Sequence, residues 1–310
     1  MAARGGRTAA FVTALGVTRA VYEVLRERAP GGPEFGRRTN YAGRTVDLYA
    51  GPATALGAAA GAAVPAGARG AVVLAVLAAA ACGAYDDRAG AGDPRRGFRA
   101  HLTALRAGEM TSGAVKLLGI GAAALVAGGL LKERPVDRIL AGVVIAGSAH
   151  CVNLLDVRPG RACAGVLALG APGLLRRGTA GALAAVPVGA AAAVIADDLG
   201  ERTMLGDTGA HALGAVRGPV RSIFAGPRRL APHLAALSES PKYVQYEGDP
   251  PPCDVRHQTP RADPRRSTGQ DLAAAVVASN GRAGLAVHAL GVVAATAYGD
   301  RVGRRASSPM

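Results

Sequence analysis

Apolar residues in this chain are gathered into runs separated by short charged segments. A helix that spans a bilayer needs about 20 mostly apolar residues, with a range near 17–25. Many of the runs are rich in Gly and Ala, which let helices pack closely in lipid. The pattern predicts an all-α, polytopic integral membrane helix bundle with about 8–10 transmembrane helices. The candidate runs cover residues 8–25, 46–65, 68–85, 113–131, 138–155, 161–175, 178–196, 204–216 and 271–298.

The alternative is a soluble helical protein with few aromatic residues. Such a bundle of Ala and Gly would bury too little apolar area per residue to offset the entropy of ordering the chain. The first run also resembles a signal peptide, with Arg4 and Arg7 as its basic start. Arg19 and Glu23 interrupt its second half, so a retained first helix is the better interpretation.

The character of the chain changes after residue 216. Residues 217–270 are rich in Arg and Pro, include the run Pro250-Pro251-Pro252, and predict a loop or a disordered segment. The predicted organisation is a membrane-embedded core over 1–216, this loop over 217–270, an additional hydrophobic helix over 271–298, and a polar tail over 299–310.

Composition narrows the class further. Among the 310 residues, 50% are hydrophobic and 19% charged, against roughly 25% charged in a soluble chain. Long apolar runs exclude disorder for most of the chain, and four cysteines in this length exclude a disulfide framework. The net charge of +14 comes almost entirely from arginine, which by itself is weak evidence for nucleic acid; we expect no nucleic-acid partner.

The arginines predict an orientation in the membrane. Segments 26–45 and 86–112 carry five arginines each, more than the segments expected on the opposite side. Because basic loops stay in the cytoplasm, we expect both of these segments, together with 156–161 and 197–203, on the cytoplasmic face of the inner (plasma) membrane.

Two groups of polar residues stand where predicted helices begin or end on that face. Asp86 and Asp87 follow an apolar run directly, and adjacent carboxylates become favourable beside a divalent cation or another positive group. Lys116 stands near the start of an apolar helix, where its ammonium opposes the helix dipole unless an anion accompanies it. A solvated helix end and a lysine reaching toward headgroups are the alternatives.

Two further groups fall on the same predicted face. Asn153 and Asp156 share a helix side, and Arg158 and Arg161 stand close enough to reach a phosphate. Asp207 is flanked by glycines, which allow a bulky ligand to approach the backbone. Mg²⁺ is usually bound by one or two carboxylates plus substrate phosphates, so the four groups together predict a Mg²⁺-assisted reaction between phosphates at the bilayer surface.

The ordered motifs resemble the polyprenyl-phosphate N-acetylhexosamine-1-phosphate transferase superfamily. The resemblance covers about residues 5–216. The matching motifs, in order, are Thr39-Asn40 with Gly43, Asp86-Asp87, Gly113-x-x-Lys116, Asn153-x-x-Asp156, Gly206-Asp207-Thr208-Gly209 and Leu213-Gly214.

The resemblance implies that a UDP-activated amino sugar and a polyprenyl (undecaprenyl or decaprenyl) phosphate react to give polyprenyl-diphospho-sugar and UMP, in cell-envelope glycan synthesis. It implies Mg²⁺ as cofactor, with Asp207 as the principal ligand and Asp86 and Asp87 assisting the metal or activating the lipid phosphate. Lys116 would hold phosphate. Asn153 and Asp156 would position the nucleotide or the metal, and Arg158 would replace a missing acidic contact.

The chain departs from the family pattern in two places. Val157 and Pro159 stand where the third motif of the family usually has Gly and Asp, and the C-terminal third lacks the His-x-His-His cluster of several members. A catalytically impaired member that acts as a membrane scaffold or binds the lipid carrier is therefore the alternative. A transporter is less favoured, because its charges should lie near mid-membrane rather than at helix ends.

Overall fold

The fold was analysed in a computed structural model, which describes residues 2–32, 34, 36–90 and 98–223. Over these residues the chain forms nine α-helices and one two-stranded sheet. The helices are α1 (Ala2–Arg28), α2 (Ala50–Ala63), α3 (Arg69–Ala89), α4 (Phe98–Arg106), α5 (Ser112–Leu131), α6 (Pro135–Leu155), α7 (Arg161–Leu174), α8 (Gly178–Leu199) and α9 (Gly206–Ile223). The strands are β1 (Arg37–Thr39) and β2 (Thr45–Asp47).

The prediction of an all-α membrane bundle is confirmed. Five of the described helices are long and apolar enough to cross a membrane: Gly6–Arg28 within α1, then α3, α5, α6 and α8. The predicted runs 46–65 and 161–175 correspond to shorter helices, α2 and α7, of 14 residues each. The predicted helix over 271–298, the loop over 217–270 and the tail over 299–310 lie outside the described residues.

A small hairpin occupies the start of the predicted run 46–65. Strands β1 and β2 pair antiparallel with Arg38 opposite Val46. The side chain of Asn40 accepts hydrogen bonds from the backbone amides of Ala42 and Arg44, which closes the turn. The sequence pattern did not predict this hairpin, because Val46 lies at the start of the apolar stretch and counts as part of the predicted helix.

The hairpin is joined to the segment between α8 and α9. The Asp47 amide donates to the Arg202 carbonyl at 3.1 Å, and the Met204 amide donates to the Asp47 carbonyl at 2.9 Å. The hydroxyl of Thr203 donates to the same Asp47 carbonyl. These bonds join the hairpin to the segment that follows α8, at one end of the bundle.

Small side chains set the helix packing. Helix α1 packs along α8 and α2, whereas α9 lies against α3 and α6. The core consists largely of Ala and Val, with few larger side chains such as Tyr22, Leu183 and Leu213. At Gly214 a methyl group would overlap the Ser148 carbonyl, so glycine is what lets α9 reach α6. The close approach of α9 to its neighbours brings the polar helix ends together.

Candidate functional site

Three helices contribute charged side chains to one end of the bundle. Asp86 and Asp87 stand in the last turn of α3, Lys116 stands near the start of α5, and Asp207 is in the first turn of α9. The side chain of Thr111 caps α5 by accepting a hydrogen bond from the Ala114 amide at 3.1 Å. Because α3 packs against both α5 and α9, these helix ends converge.

Lys116 joins two of the predicted site carboxylates. Its Nζ lies 2.5 Å from Oδ2 of Asp86 and also contacts Oδ2 of Asp207. All three side chains are mostly buried, with exposed fractions of 16%, 17% and 21% for Lys116, Asp86 and Asp207. An ammonium at a helix start, unfavourable alone, is thus compensated by two carboxylates from neighbouring helices.

Asp87 has a different arrangement from that of Asp86. Its Oδ1 accepts the Asp207 amide at 2.9 Å, and its Oδ2 accepts the Thr208 amide at 3.0 Å and the Thr208 hydroxyl at 2.6 Å. The carboxylate therefore satisfies free amides at the start of α9 and complements the positive end of that helix. In this arrangement Asp87 fixes the backbone on which Asp207 stands.

The hairpin also reaches this motif. The Arg38 guanidinium donates to the backbone carbonyl of Asp87 at 2.5 Å. This contact links the basic first loop to the end of α3, in agreement with the expectation that both segments lie on one face.

Asp156 caps the end of α6 next to the same centre. Burial is the largest cause that raises the pKa of the Asp156 carboxyl to about 8. The negative charges of Asp198, Asp207 and Asp87 act in the same direction, and only a hydrogen bond from the Gly206 amide opposes them. The structure therefore concentrates negative charge where Asp156 faces α9, and a bound cation would relieve it.

A cavity of about 90 Å³ lies between the hairpin turn and the segment after α6. Asn40, Tyr41, Asp156, Arg158 and Asp198 are among its lining residues. The Arg158 guanidinium lies over the Tyr41 ring, 5.4 Å from the centroid. Asp198 is only 2% exposed, and its Oδ2 has no hydrogen-bond partner among the described residues. Asp198 thus places a carboxyl group in the wall of the cavity.

The remaining predicted site residues take no part in these contacts. Asn153 is half-buried on α6, and its backbone carbonyl accepts the Asp156 amide. Arg161 is the first residue of α7 and is exposed, after Gly160 in a left-handed conformation. Their roles in substrate binding stay predictions.

Sequence reasoning missed two residues near the centre. His211 is fully buried, with Nδ1 2.7 Å from the Asp207 carbonyl oxygen, and its Nε2 lies 3.3 Å from Nδ1 of His150. The only local signal was the spacing of four between Asp207 and His211 on one helix face. The contact with His150, 61 residues earlier, leaves no local pattern.

The donor set is compatible with Mg²⁺. Within the described residues, no group of three or more His, Cys, Asp or Glu side chains is arranged to hold a metal. Mg²⁺ does not need such a group, because it usually takes one or two carboxylates and completes its shell with waters and substrate phosphates. Asp86 and Asp207 meet that requirement, because the ammonium of Lys116 contacts both carboxylates.

Replacing Gly83 with alanine should disturb the centre. A methyl group at Gly83 would overlap the carbonyl of Asp207 and crowd the amide of Thr208, so α3 and α9 would have to separate. We expect a loss of about 1–3 kcal/mol of stability. Thermal unfolding of the purified protein in detergent measures it. The matched control is Gly121→Ala, where the added methyl meets no atom within 4 Å. Equal unfolding temperatures for the two variants would contradict the close contact.

No family model matches the chain, and no curated protein matches it. The functional conclusion therefore depends on the motifs and on the geometry that they adopt.

Proposed function

We propose that the chain is a Mg²⁺-dependent phosphoglycosyl transferase of the polyprenyl-phosphate N-acetylhexosamine-1-phosphate transferase type. It transfers a sugar-1-phosphate from a UDP-activated amino sugar to a polyprenyl phosphate and releases UMP. The observation that carries the proposal is the contact of Lys116 with both Asp86 and Asp207. Three motifs meet there, with Lys116 lying 30 residues after Asp86 and 91 residues before Asp207 along the chain, in an arrangement of charges suited to two phosphates and a divalent cation.

The carboxylates that would hold Mg²⁺ are Asp207 and Asp86, with Asp156 beside them. When bound, Mg²⁺ would offset negative charge on the diphosphate of the sugar nucleotide. Lys116, released from one carboxylate, would then hold a phosphate oxygen through its ammonium. Asp87 was also predicted as a metal ligand. Because its two oxygens already accept three hydrogen bonds from residues 207 and 208, we assign it to holding α9 in place.

The cavity beside Asp156 is the proposed location of the nucleoside. Arg158 over the Tyr41 ring provides a positive, flat surface in its wall. Arg161 at the start of α7 is an exposed cation that can bind phosphate.

The lipid substrate fits the membrane character of the fold. A polyprenyl phosphate keeps its chain in the bilayer and presents its phosphate at the surface, where the helix ends carry Lys116 and the two carboxylates. The centre lies at the end of the bundle that holds the basic hairpin. We therefore place the reaction at the cytoplasmic face of the inner membrane.

The orientation can be tested with reporter fusions. Fusions after residues 30 and 100 should report a cytoplasmic location, and a fusion near Pro135, at the start of α6, should report the opposite side, because arginines are concentrated in the first two segments. If Asp86 and Asp207 map to opposite membrane faces, the two residues do not share a site.

The test of the proposed function is UMP release by the purified full chain from UDP-N-acetylglucosamine and undecaprenyl phosphate. We expect release that requires both substrates and Mg²⁺ and stops on addition of EDTA. The alternative, a catalytically impaired scaffold or carrier-binding protein, is motivated by the C-terminal third, where the match to the family pattern ends after Gly214. Binding of undecaprenyl phosphate without UMP release, also when other UDP-amino sugars are supplied, would favour that alternative.

A further inference from the structure

Two histidines form a connected pair directly behind Asp207. His211 lies one turn after Asp207 on α9, and its Nδ1 is 2.7 Å from the Asp207 carbonyl oxygen. Its Nε2 is 3.3 Å from Nδ1 of His150 on α6. The two rings meet edge to face, with centroids 5.1 Å apart and an interplanar angle of 89°. His211 is fully buried, so the pair is shielded from water on the α9 side.

The partners determine which nitrogens carry protons. A carbonyl oxygen only accepts, so Nδ1 of His211 must be the donor. Burial without a carboxylate partner favours the neutral ring. Because a neutral ring carries one proton, Nε2 of His211 is then an acceptor. Nδ1 of His150 must therefore donate to it. The hydrogen bonds run in one direction, from His150 through His211 to the Asp207 carbonyl, and both rings carry their proton on Nδ1.

The backbone of Asp207 is held on both sides as a result. Its amide donates to Oδ1 of Asp87 at 2.9 Å, and its carbonyl accepts from Nδ1 of His211 at 2.7 Å. When both peptide groups next to an α-carbon are fixed, the direction of the side chain is restricted to its rotamers. The carboxylate of Asp207 is thereby aimed at Lys116, the residue that it contacts.

We infer that His211 is a positioning residue for Asp207, and that His150 supports it by holding the ring in the tautomer that donates to the carbonyl. This inference rests on the proposed function, because the consequence of positioning Asp207 is turnover with Mg²⁺. Small displacements of a metal-binding carboxylate reduce turnover strongly, since the reacting groups no longer reach their aligned geometry.

The test compares two substitutions at one position. His211→Asn places an amide donor near the location of Nδ1, whereas His211→Leu has similar bulk and no donor. We expect His211→Leu to lower kcat about 10–100-fold and to raise the Mg²⁺ concentration for half-maximal rate, with little change in KM for undecaprenyl phosphate. His211→Asn should recover most of the lost kcat. His101→Asn is the control, because His101 contacts Thr111 at the start of α5 and has no contact with the pair.

Parental kcat and Mg²⁺ dependence in His211→Leu would overturn the inference. Equal losses in the Asn and Leu variants, together with equally lowered unfolding temperatures, would also overturn it, because His211 would then act only through packing. A KM effect without a kcat effect would place the residue in substrate binding instead, and would equally reject the inference.

A second measurement is independent of turnover. ¹⁵N spectra of the histidine-labelled full chain in detergent distinguish a proton on Nδ1 from one on Nε2. We expect the Nδ1–H form for both His150 and His211, assigned through His150→Gln and His211→Asn. An Nε2–H form of His211 would overturn the inference, even if the chain releases UMP. If the parent chain releases no UMP, the proposed function is rejected. The spectra then still test whether His211 donates to the Asp207 carbonyl.

Discussion

Replacing Asp207 with asparagine should abolish most Mg²⁺-dependent UMP release. The substitution keeps the shape of the side chain and removes the charge that faces Lys116. The loss of a metal-binding carboxylate is expected to cost on the order of 10²–10⁴ in rate. The helices should still pack, because α9 is held by the Asp87 hydrogen bonds to backbone amides and by the glycine contacts. Turnover and unfolding temperature of the purified variant, measured side by side, separate the two effects.

Two variants serve as comparisons for Asp207→Asn. Asp137→Asn makes the same change in the first turn of α6, at the opposite end of that helix from Asp156, and should leave turnover unchanged. Arg161→Lys keeps the charge but loses the paired donors of the guanidinium, and should be milder than Asp207→Asn. If Asp207→Asn retained the parental rate with Mg²⁺, Asp207 would not be the metal ligand, and Asp86 and Asp156 would take its place as candidates.

Replacing Lys116 with methionine should produce the second large effect. Methionine has similar length but no charge, so Asp86 and Asp207 would face each other without the ammonium between them. We expect turnover to fall about 10²–10³-fold, since a phosphate loses its cationic partner. We also expect Mg²⁺ to raise the unfolding temperature more in this variant than in the parent, because the two carboxylates would have no other cation near them.

The matched control is Lys132→Met, at the other end of the same helix α5. It should keep the parental rate and the parental response to Mg²⁺. Unchanged turnover in Lys116→Met would remove Lys116 from phosphate binding. Similar responses to Mg²⁺ in Lys116→Met and the parent would show that the two carboxylates do not form a common cation site.

The meeting of Asp86, Lys116 and Asp207 follows from features that the sequence displays. Each residue ends or begins an apolar run, and the alternation of the runs across a membrane places these helix ends on one side. Bilayer thickness limits the length of each helix, so the side on which a polar group emerges is nearly fixed by its position in the run. Which carboxylate Lys116 contacts was not predictable in the same way, because it depends on the rotation of each helix about its axis.

The features that sequence analysis missed depend on contacts between distant residues. The hairpin of β1 and β2 is held by hydrogen bonds to the segment around Thr203. His150 on α6 contacts His211 on α9. Neither contact changes the local pattern of apolar and polar positions. Asp87 and Asp86 are identical neighbours, yet one accepts hydrogen bonds from α9 and the other contacts Lys116, because successive residues on a helix point in different directions.

The pairing of α1 with α8 has a consequence for the biogenesis of the protein. Arg19, inside the apolar span of α1, contacts Asp197 at 2.6 Å, and this partner is made 178 residues later. At about 5–20 residues per second, the ribosome needs roughly 10–35 s to reach it. During that interval Arg19 has Glu23 of its own helix beside it but lacks Asp197, and charged side chains in lipid are costly. We therefore expect the insertion machinery to retain α1 until α8 emerges.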